Sequence, residues 1–357
     1  MRALAALAGA AVIALTLVEF FVAFLLPRRV RHEPRIARLI LVAGWRIWRF
    51  LARRLPARSG DTMLGFYGPL LLLFAIALWA LALIFGFALL HWSGGSHIVR
   101  GGGGGFDDDL FFSAGGFLSA SMQLSPSTAF ARVLFLGEAA CGFGVLFVAI
   151  GYLPAIYQAY SRREVTVAQL APRAGTPPSA GALIARSGQR GGWPHLDLYL
   201  AEWEEWAAEL METHLSYPAL AYFRSQHVGE NWLAALTTVL DACAFALAAA
   251  PEKTEVEAAE VTLSIGRHAL ADVSHVLRVK PGRSDAQRLS SSNFAALWEL
   301  AASGGLDLRA KEEVEPRLRE LRARYEPLVA GLARALELTS PSWLPSAGSE
   351  VDRRLMR

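Results

Sequence analysis

Three long apolar runs constrain the fold of this chain more than any other feature. Ala3–Leu26 has 24 residues with a single acid among them, and at 1.5 Å per residue a helix of that length would extend about 36 Å. That is enough to cross a hydrocarbon core of about 30 Å. Thr62–Trp92 contains no Asp, Glu, Lys or Arg. The only charged residues in Thr128–Tyr160 are Arg132 and Glu138. The runs predict three membrane-spanning helices.

Positive charge is concentrated beside the first run. Residues 1–60 contain eleven Arg against two Glu, although the net charge of all 357 residues is only +3. Within residues 28–58, apolar side chains recur every three or four positions between the arginines, which predicts a basic amphipathic helix on the membrane surface. Trp45 and Trp48 suit the headgroup boundary, and anionic lipid headgroups are the expected partner, with no nucleic acid. A voltage-sensing helix is the alternative, but the Arg pairs do not stay in phase.

The distribution of arginine also predicts an orientation. Basic loops remain in the cytoplasm, so residues 28–58 lie inside, and the N-terminus and residues 92–127 lie outside. Everything after Tyr160 lies inside, where Arg162 and Arg163 follow the same rule. We therefore expect a multi-pass protein of the inner cell membrane. A cleaved secretory signal is the alternative for the first run, although the run is long for one.

The part after residue 164 differs in composition from the part before it. Residues 165–194 include a stretch rich in Pro, Gly, Ser and Ala without periodicity, which indicates a flexible linker. Residues 195–340 carry helical patterns and predict a cytoplasmic bundle of about five helices, and residues 341–357 are a tail. With only Cys141 and Cys243, a disulfide scaffold and a four-cysteine zinc module are excluded.

One predicted helix of this bundle carries three residues that could bind a metal ion. His268, Asp272 and His275 share a helix face, so a metal enzyme tethered to the membrane is one hypothesis. The spacing lacks the paired Glu-x-x-His units of di-iron bundles. We therefore predict no metal, no cofactor and no enzyme activity.

The segment between the second and third runs is the most informative. Near the start of Phe106–Ser127, Asp107, Asp108 and Asp109 are followed by Leu110, Phe111, Phe112, Ala114, Phe117 and Leu118. This order predicts a helix of about twelve residues with acids at its positive N-terminal end. Such a helix is about 18 Å long and cannot cross a bilayer. It is expected to enter from outside and return through an irregular strand, and irregular backbone at that depth indicates a pore. An extracellular loop capped by aspartates is the alternative.

This order of elements resembles the pore module of two-helix potassium channels. The resemblance covers about residues 62–164 and is carried by four groups of residues: Asp109–Ser113, Phe117–Ser119, Ser125–Thr128 and Arg132–Gly144. It implies a homotetramer around one pore, passive movement of monovalent cations, and filter carbonyls that replace water around the ion. The fold it implies is all-α, with three transmembrane helices, a re-entrant pore helix and a cytoplasmic helical bundle. The predicted domains are residues 1–27, 28–60, 61–164, 165–194, 195–340 and 341–357.

The filter position departs from that family. The family carries Thr-Val-Gly-Tyr-Gly-Asp, whereas this chain has Ser119-Ala120-Ser121-Met122-Gln123-Leu124. Without the glycines, left-handed backbone angles cost about 1–2 kcal/mol per residue, so potassium selectivity does not carry over with the fold. The predicted ion pathway is Ser119, Ala120, Ser121, Met122 and Gln123. A non-conducting tetrameric anchor, whose helical domain binds a partner or ligand, is the alternative function.

Three residues of the third run complete the predicted site. Gly142 and Gly144 lie where the family's inner helix bends, so they are a candidate gating hinge, with close packing through small residues as the equal alternative. Glu138 is an acid inside an apolar run and is expected to face protein or water.

Overall fold

Apolar and alanine-rich segments form helices throughout the computed structural model, which describes residues 1–24, 35–95, 105–120, 126–225, 229–282 and 286–346. No residue in these ranges lies in a β-strand, and an isolated bridge joins Ser179 and Ser342. The chain divides into two compact units, Met1–Tyr157 and Gln158–Arg357. The expected all-helical class is therefore confirmed.

Three helices of the chain expose apolar surface along most of their length. The helices from the N-terminus onward are α1 (Arg2–Phe24), α2 (Arg35–Ala52), α3 (Ala57–Ser93), α4 (Phe106–Phe117) and α5 (Ala129–Ala174). Of these, α1, α3 and α5 are long and apolar enough to cross a membrane, and only 22%, 33% and 17% of their most apolar stretches are buried. Exposed side chains include Leu73, Phe74, Leu136 and Phe147. Surface of this kind is unfavourable in water and is compatible with a membrane protein.

The first unit is held together by small residues and an aromatic cluster. A Cβ at Gly9 of α1 would come within 2.7 Å of the carbonyl oxygen of Gly86 on α3, so the two backbones approach closely. Phe20, Trp79 and Phe117 then pack in one buried cluster that brings α1, α3 and α4 together.

The basic helix α2 lies against α3. The ring centroids of Trp45 and Tyr67 are 4.9 Å apart, and Trp48 donates a hydrogen bond to the carbonyl oxygen of Met63 at 2.7 Å. Ile47 and Phe50 remain 64% and 55% exposed on the same helix. The amphipathic pattern of residues 28–58 therefore forms a helix from Arg35 to Ala52, and residues 28–34 lie outside the described residues.

The second unit is built around one apolar helix. Its remaining helices are α6 (Ala180–Ser216), α7 (Trp232–Ala249), α8 (Glu257–Leu277), α9 (Ser291–Ser303), α10 (Lys311–Ala323) and α11 (Glu326–Leu336). By composition α7 is also long and apolar enough to cross a membrane, but 94% of it is buried within the protein. It contacts α6, α8, α10 and α11, so its apolar surface forms the core of this unit.

The predicted linker at residues 165–194 is wrong. Helix α5 continues to Ala174, α6 starts at Ala180, and Leu183 and Ile184 are fully buried. The small residues allow close packing: a Cβ at Gly188 would come within 2.5 Å of the carbonyl oxygen of Gly304. The chain turns between α5 and α6, and it bends again at Gly191 and Gly192, whose φ angles of 154° and 72° interrupt α6.

The predicted tail also begins too early. Trp343 is fully buried, and its carbonyl oxygen accepts a hydrogen bond from the backbone N–H of Gly181 at 2.9 Å. Residues 341–346 therefore belong to the fold, and residues 347–357 lie outside the described residues.

Candidate functional site

The candidate site is built on the short helix α4, which has 12 residues between the long helices α3 and α5. Its N-terminus is capped locally, because the backbone N–H of Gly105 donates to the carboxylate of Asp108 at 3.3 Å. Asp107 and Asp108 are exposed there, as expected for acids at the positive end of a helix, whereas Asp109 is fully buried.

Helix α4 ends at the first predicted filter residues. The N–H of Ser119 donates to the carbonyl oxygen of Gly116 at 3.1 Å, and the N–H of Ala120 donates to that of Gly115 at 2.9 Å. Ser119 has φ 52°, so the two bonds form a Schellman motif with a left-handed residue at the helix end. Ser119 and Ala120 are exposed and terminate the helix, where the sequence predicted the start of an irregular strand. The other predicted filter residues, Ser121, Met122 and Gln123, lie outside the described residues.

Glu138 of α5 lies in a buried polar cluster with residues of the two neighbouring helices. The hydroxyl of Ser113 on α4 donates a short hydrogen bond to Oε1 of Glu138. Nε2 of His91 on α3 lies 3.8 Å from Oε2 of Glu138. Glu138 and Ser113 are fully buried, and His91 is 3% exposed. The structure therefore places the intramembrane acid predicted from sequence against protein groups.

Aromatic rings enclose this cluster. The ring centroids of His91 and Phe112 are 5.2 Å apart, and those of Phe112 and Phe135 are 5.3 Å apart. Sequence reasoning did not select His91 or Ser113. A usable signal exists, because a histidine at the end of one apolar run and a serine on the short helix are both suitable partners for a lone intramembrane acid.

The two glycines predicted as a hinge have different surroundings. Gly142 is buried, and a Cβ there would overlap the carbonyl oxygen of Phe117 at the end of α4. Gly144 is exposed, and a Cβ added there would meet no other atom within 4 Å. Gly142 thus sets the approach of α4 to α5, and the contacts give Gly144 no packing role.

The residues considered for a metal do not assemble. His268, Asp272 and His275 are all exposed on α8. In the described parts of the chain, no group of three or more His, Cys, Asp or Glu side chains is placed to hold a metal ion.

The second unit also contains a buried ionic network that the sequence did not predict. Asp241 of α7 accepts a hydrogen bond from the Tyr325 hydroxyl at 2.6 Å and forms an ion pair with Arg288. Glu326 in turn accepts from Arg288 at 3.0 Å and from Arg322 at 2.8 Å. Burial raises the pKa of Tyr325 well above its ordinary value, with the charge of Asp241 adding to the effect, so the phenol stays protonated and donates. Two acids and two arginines balance in charge, which indicates a structural network.

A second buried contact in this unit involves His214 of α6. Its Nδ1 lies 2.8 Å from the carbonyl oxygen of Leu210, and its Nε2 lies 3.4 Å from a guanidinium nitrogen of Arg163. Burial, and then the charge of Arg163, lower the pKa of His214 to about 3. The ring is therefore neutral, with Nδ1 donating to Leu210 and Nε2 accepting from Arg163.

A scan against protein-family models finds no matching family, and searches of curated proteins and of solved structures find no match either.

Proposed function

We propose that residues 61–164 form a pore module for passive movement of monovalent cations across a membrane. The single observation that carries this proposal is the short helix α4, which lies between two long apolar helices and contributes a buried serine to the acid of one of them. Twelve residues extend about 18 Å, which is too short to cross a bilayer. A helix of this length beside two spans is suited to entering the membrane and returning.

The proposed arrangement has three transmembrane helices, α1, α3 and α5, and α4 as the re-entrant pore helix. Because one copy supplies one such helix, four copies are needed to surround a conduit. The exposed apolar side chains along α5, including Leu136, Phe143 and Phe147, provide surface for lipid and for neighbouring copies. Helix α7 belongs in this proposal to the cytoplasmic bundle, because its own unit covers its apolar surface.

Helix α2 is proposed to lie on the cytoplasmic face of the inner membrane. Its exposed Ile47 and Phe50 can enter the acyl boundary while the exposed Arg46 is accessible to anionic headgroups. This places the N-terminus outside and the helical bundle in the cytoplasm, in keeping with the excess of arginine in residues 28–58.

The proposal is tested by reconstituting the purified full chain into lipid vesicles and planar bilayers with K⁺ and Na⁺ on opposite sides. We expect a current with weak discrimination between the two ions, because the filter position lacks the family's glycines. Replacing Ser121-Met122-Gln123 with Gly-Tyr-Gly is expected to raise the preference for K⁺. An unchanged permeability ratio in that variant would count against the proposed pore.

The second candidate is a tetrameric membrane anchor that does not conduct. The apolar residues Met122 and Leu124 at the filter position favour it, because an apolar constriction excludes water. Absence of current over a range of voltages and pH, from protein that elutes as a tetramer in detergent, would support the anchor and contradict the channel.

A further inference from the structure

Glu138 lies where three helices of the first unit meet, and its two carboxylate oxygens face different helices. Oε1 accepts from Ser113 on α4, and Oε2 faces Nε2 of His91 on α3 at 3.8 Å. All three side chains are at least nine-tenths buried. A single side chain of α5 therefore contacts both helices that flank it in the fold.

The position of the Glu138 side chain depends on Gly116, which lies one turn after Ser113 on α4. A Cβ at Gly116 would come within 2.8 Å of Oε2 of Glu138 and 3.1 Å of the Phe135 ring. Glycine at this position of α4 leaves the room that the acid occupies. Neither Oε2 of Glu138 nor Nε2 of His91 has a hydrogen-bond partner within the described structure, although both atoms are fully buried.

Separating Glu138 from these neighbours is energetically unfavourable. A buried carboxyl group that loses its polar partners has a large desolvation penalty, so a structure with α4 or α3 moved away from Glu138 has a higher free energy. Along the same helices, Asp109 lies one turn before Ser113 on α4, and Cys141 lies three residues after Glu138 on α5. The arrangement therefore favours one placement of α4 between its neighbours.

We propose that Glu138 is a positioning residue that joins α4 to both α3 and α5 and so determines where the end of α4, at Ser119, lies between them. This inference rests on the proposed pore function, because it assigns Glu138 a role in placing the conduction segment. Glu138 itself does not need to touch the ion.

The first test is a double-mutant cycle on the full chain in detergent, followed by thermal and denaturant unfolding. Ser113→Ala is expected to shift the folding equilibrium of the wild type toward the unfolded state by roughly tenfold, since a buried hydrogen bond to the Glu138 carboxyl group is lost. In a Glu138→Leu background the same change is expected to have almost no effect. Equal effects of Ser113→Ala in the two backgrounds would overturn the inference, whether or not the protein conducts.

The second test separates positioning from simple stability. Glu138→Gln keeps an acceptor for Ser113 but removes the carboxyl group that faces His91, and Glu138→Asp keeps the carboxyl group on a shorter side chain. In vesicle flux measured per folded protein, we expect Glu138→Gln to reduce K⁺ flux at least about fivefold and Glu138→Asp to restore part of it. Glu19→Gln, on another buried acid of an apolar helix, and Ser93→Ala are the matched controls and are expected to leave flux unchanged.

The outcomes distinguish this inference from the proposed function. If the wild type carries no current while the cycle is strongly non-additive, the pore function fails and the role of Glu138 in holding α4 stands. If the wild type conducts and Glu138→Gln keeps both its flux and its K⁺ to Na⁺ permeability ratio, the pore function stands and the positioning role fails.

Discussion

The role of a single residue in this chain depends in some cases on its own helix and in others on neighbouring helices. Ser119 is an example of the first case: the sequence puts it at the start of the predicted ion pathway, and its φ of 52° and the hydrogen bonds around it make it the residue that ends α4. Glu138 is an example of the second case: its place in an apolar run indicated only that it faces protein or water. The partners, Ser113 and His91, became identifiable only when three helices were in place.

His214 gives a prediction at this scale. An unfolded histidine has a pKa of about 6.5, and in the folded chain burial lowers the pKa of His214 to about 3. Below pH 6.5 the unfolded chain therefore binds a proton that the folded chain does not, and stability falls as the pH falls. The slope approaches about 1.4 kcal/mol per pH unit between roughly pH 5.5 and pH 4.

The measurement is the difference in free energy of unfolding between wild type and His214→Gln across that range, in detergent. The variant is expected to lose this part of the slope even if it is less stable at neutral pH. His268→Gln, on an exposed position of α8, serves as the control and is expected to keep the wild-type slope. Parallel curves for wild type and His214→Gln would contradict the buried neutral ring.

At the scale of elements, helix packing through small residues recurs in both units. Gly9 lies against Gly86 where α1 meets α3, and Gly188 lies against Gly304 where α6 passes the end of α9. Composition alone is ambiguous here, because glycine and alanine suit both a flexible linker and a close helix contact. The stretch from Ala180 to Ala185 is buried helix, because its small side chains let α6 pack closely against neighbouring backbone.

Substitutions at Gly142 and Gly144 test whether glycine is needed for close helix packing. Gly142→Ala forces a methyl group into the backbone of α4 and is expected to cost about 1–3 kcal/mol of stability. Gly144→Ala meets open space, and the better helix propensity of alanine is expected to make it neutral or stabilising by up to about 1 kcal/mol.

Thermal midpoints of the two variants in detergent provide the comparison. Similar midpoints would exclude close packing as the reason for Gly142 and would leave the hinge hypothesis. If Gly144→Ala keeps its stability but loses gating in bilayer recordings, the hinge resides at Gly144.

At the scale of the whole molecule, two units of different surface chemistry occur in one chain. The first exposes leucine and phenylalanine along α1, α3 and α5, whereas the second covers its apolar helix α7 with other helices. The core of the second unit also contains the network of Asp241, Arg288, Tyr325 and Glu326, which ties α7 to the elements that follow α8.

This network makes a prediction for the second unit. Asp241→Ala leaves Arg288 without one of its two buried acids and is expected to cost roughly 3–5 kcal/mol of stability. Glu320→Ala removes an exposed acid that pairs with Arg317 and Arg324, and it is expected to leave the unfolding midpoint unchanged.

The double variant Asp241→Leu with Arg288→Met separates pairing from packing. Because it removes both charges, it is expected to recover much of the stability that Asp241→Ala loses. Unfolding followed by circular dichroism in detergent measures all three variants. An Asp241→Ala protein as stable as wild type would show that the network contributes little.

The sequence by itself determined the helical class, the three apolar runs, the basic amphipathic helix and the short helix that begins with the aspartates. These are local properties, since hydrophobic periodicity, run length and capping residues depend on neighbours within a few turns. The tertiary structure alone decided that the Gly and Ala stretch around residue 180 is core, that α7 is covered by protein, and which side chains surround Glu138 and Asp241. These features depend on contacts between residues far apart in the chain, and such contacts leave no periodic signal in it.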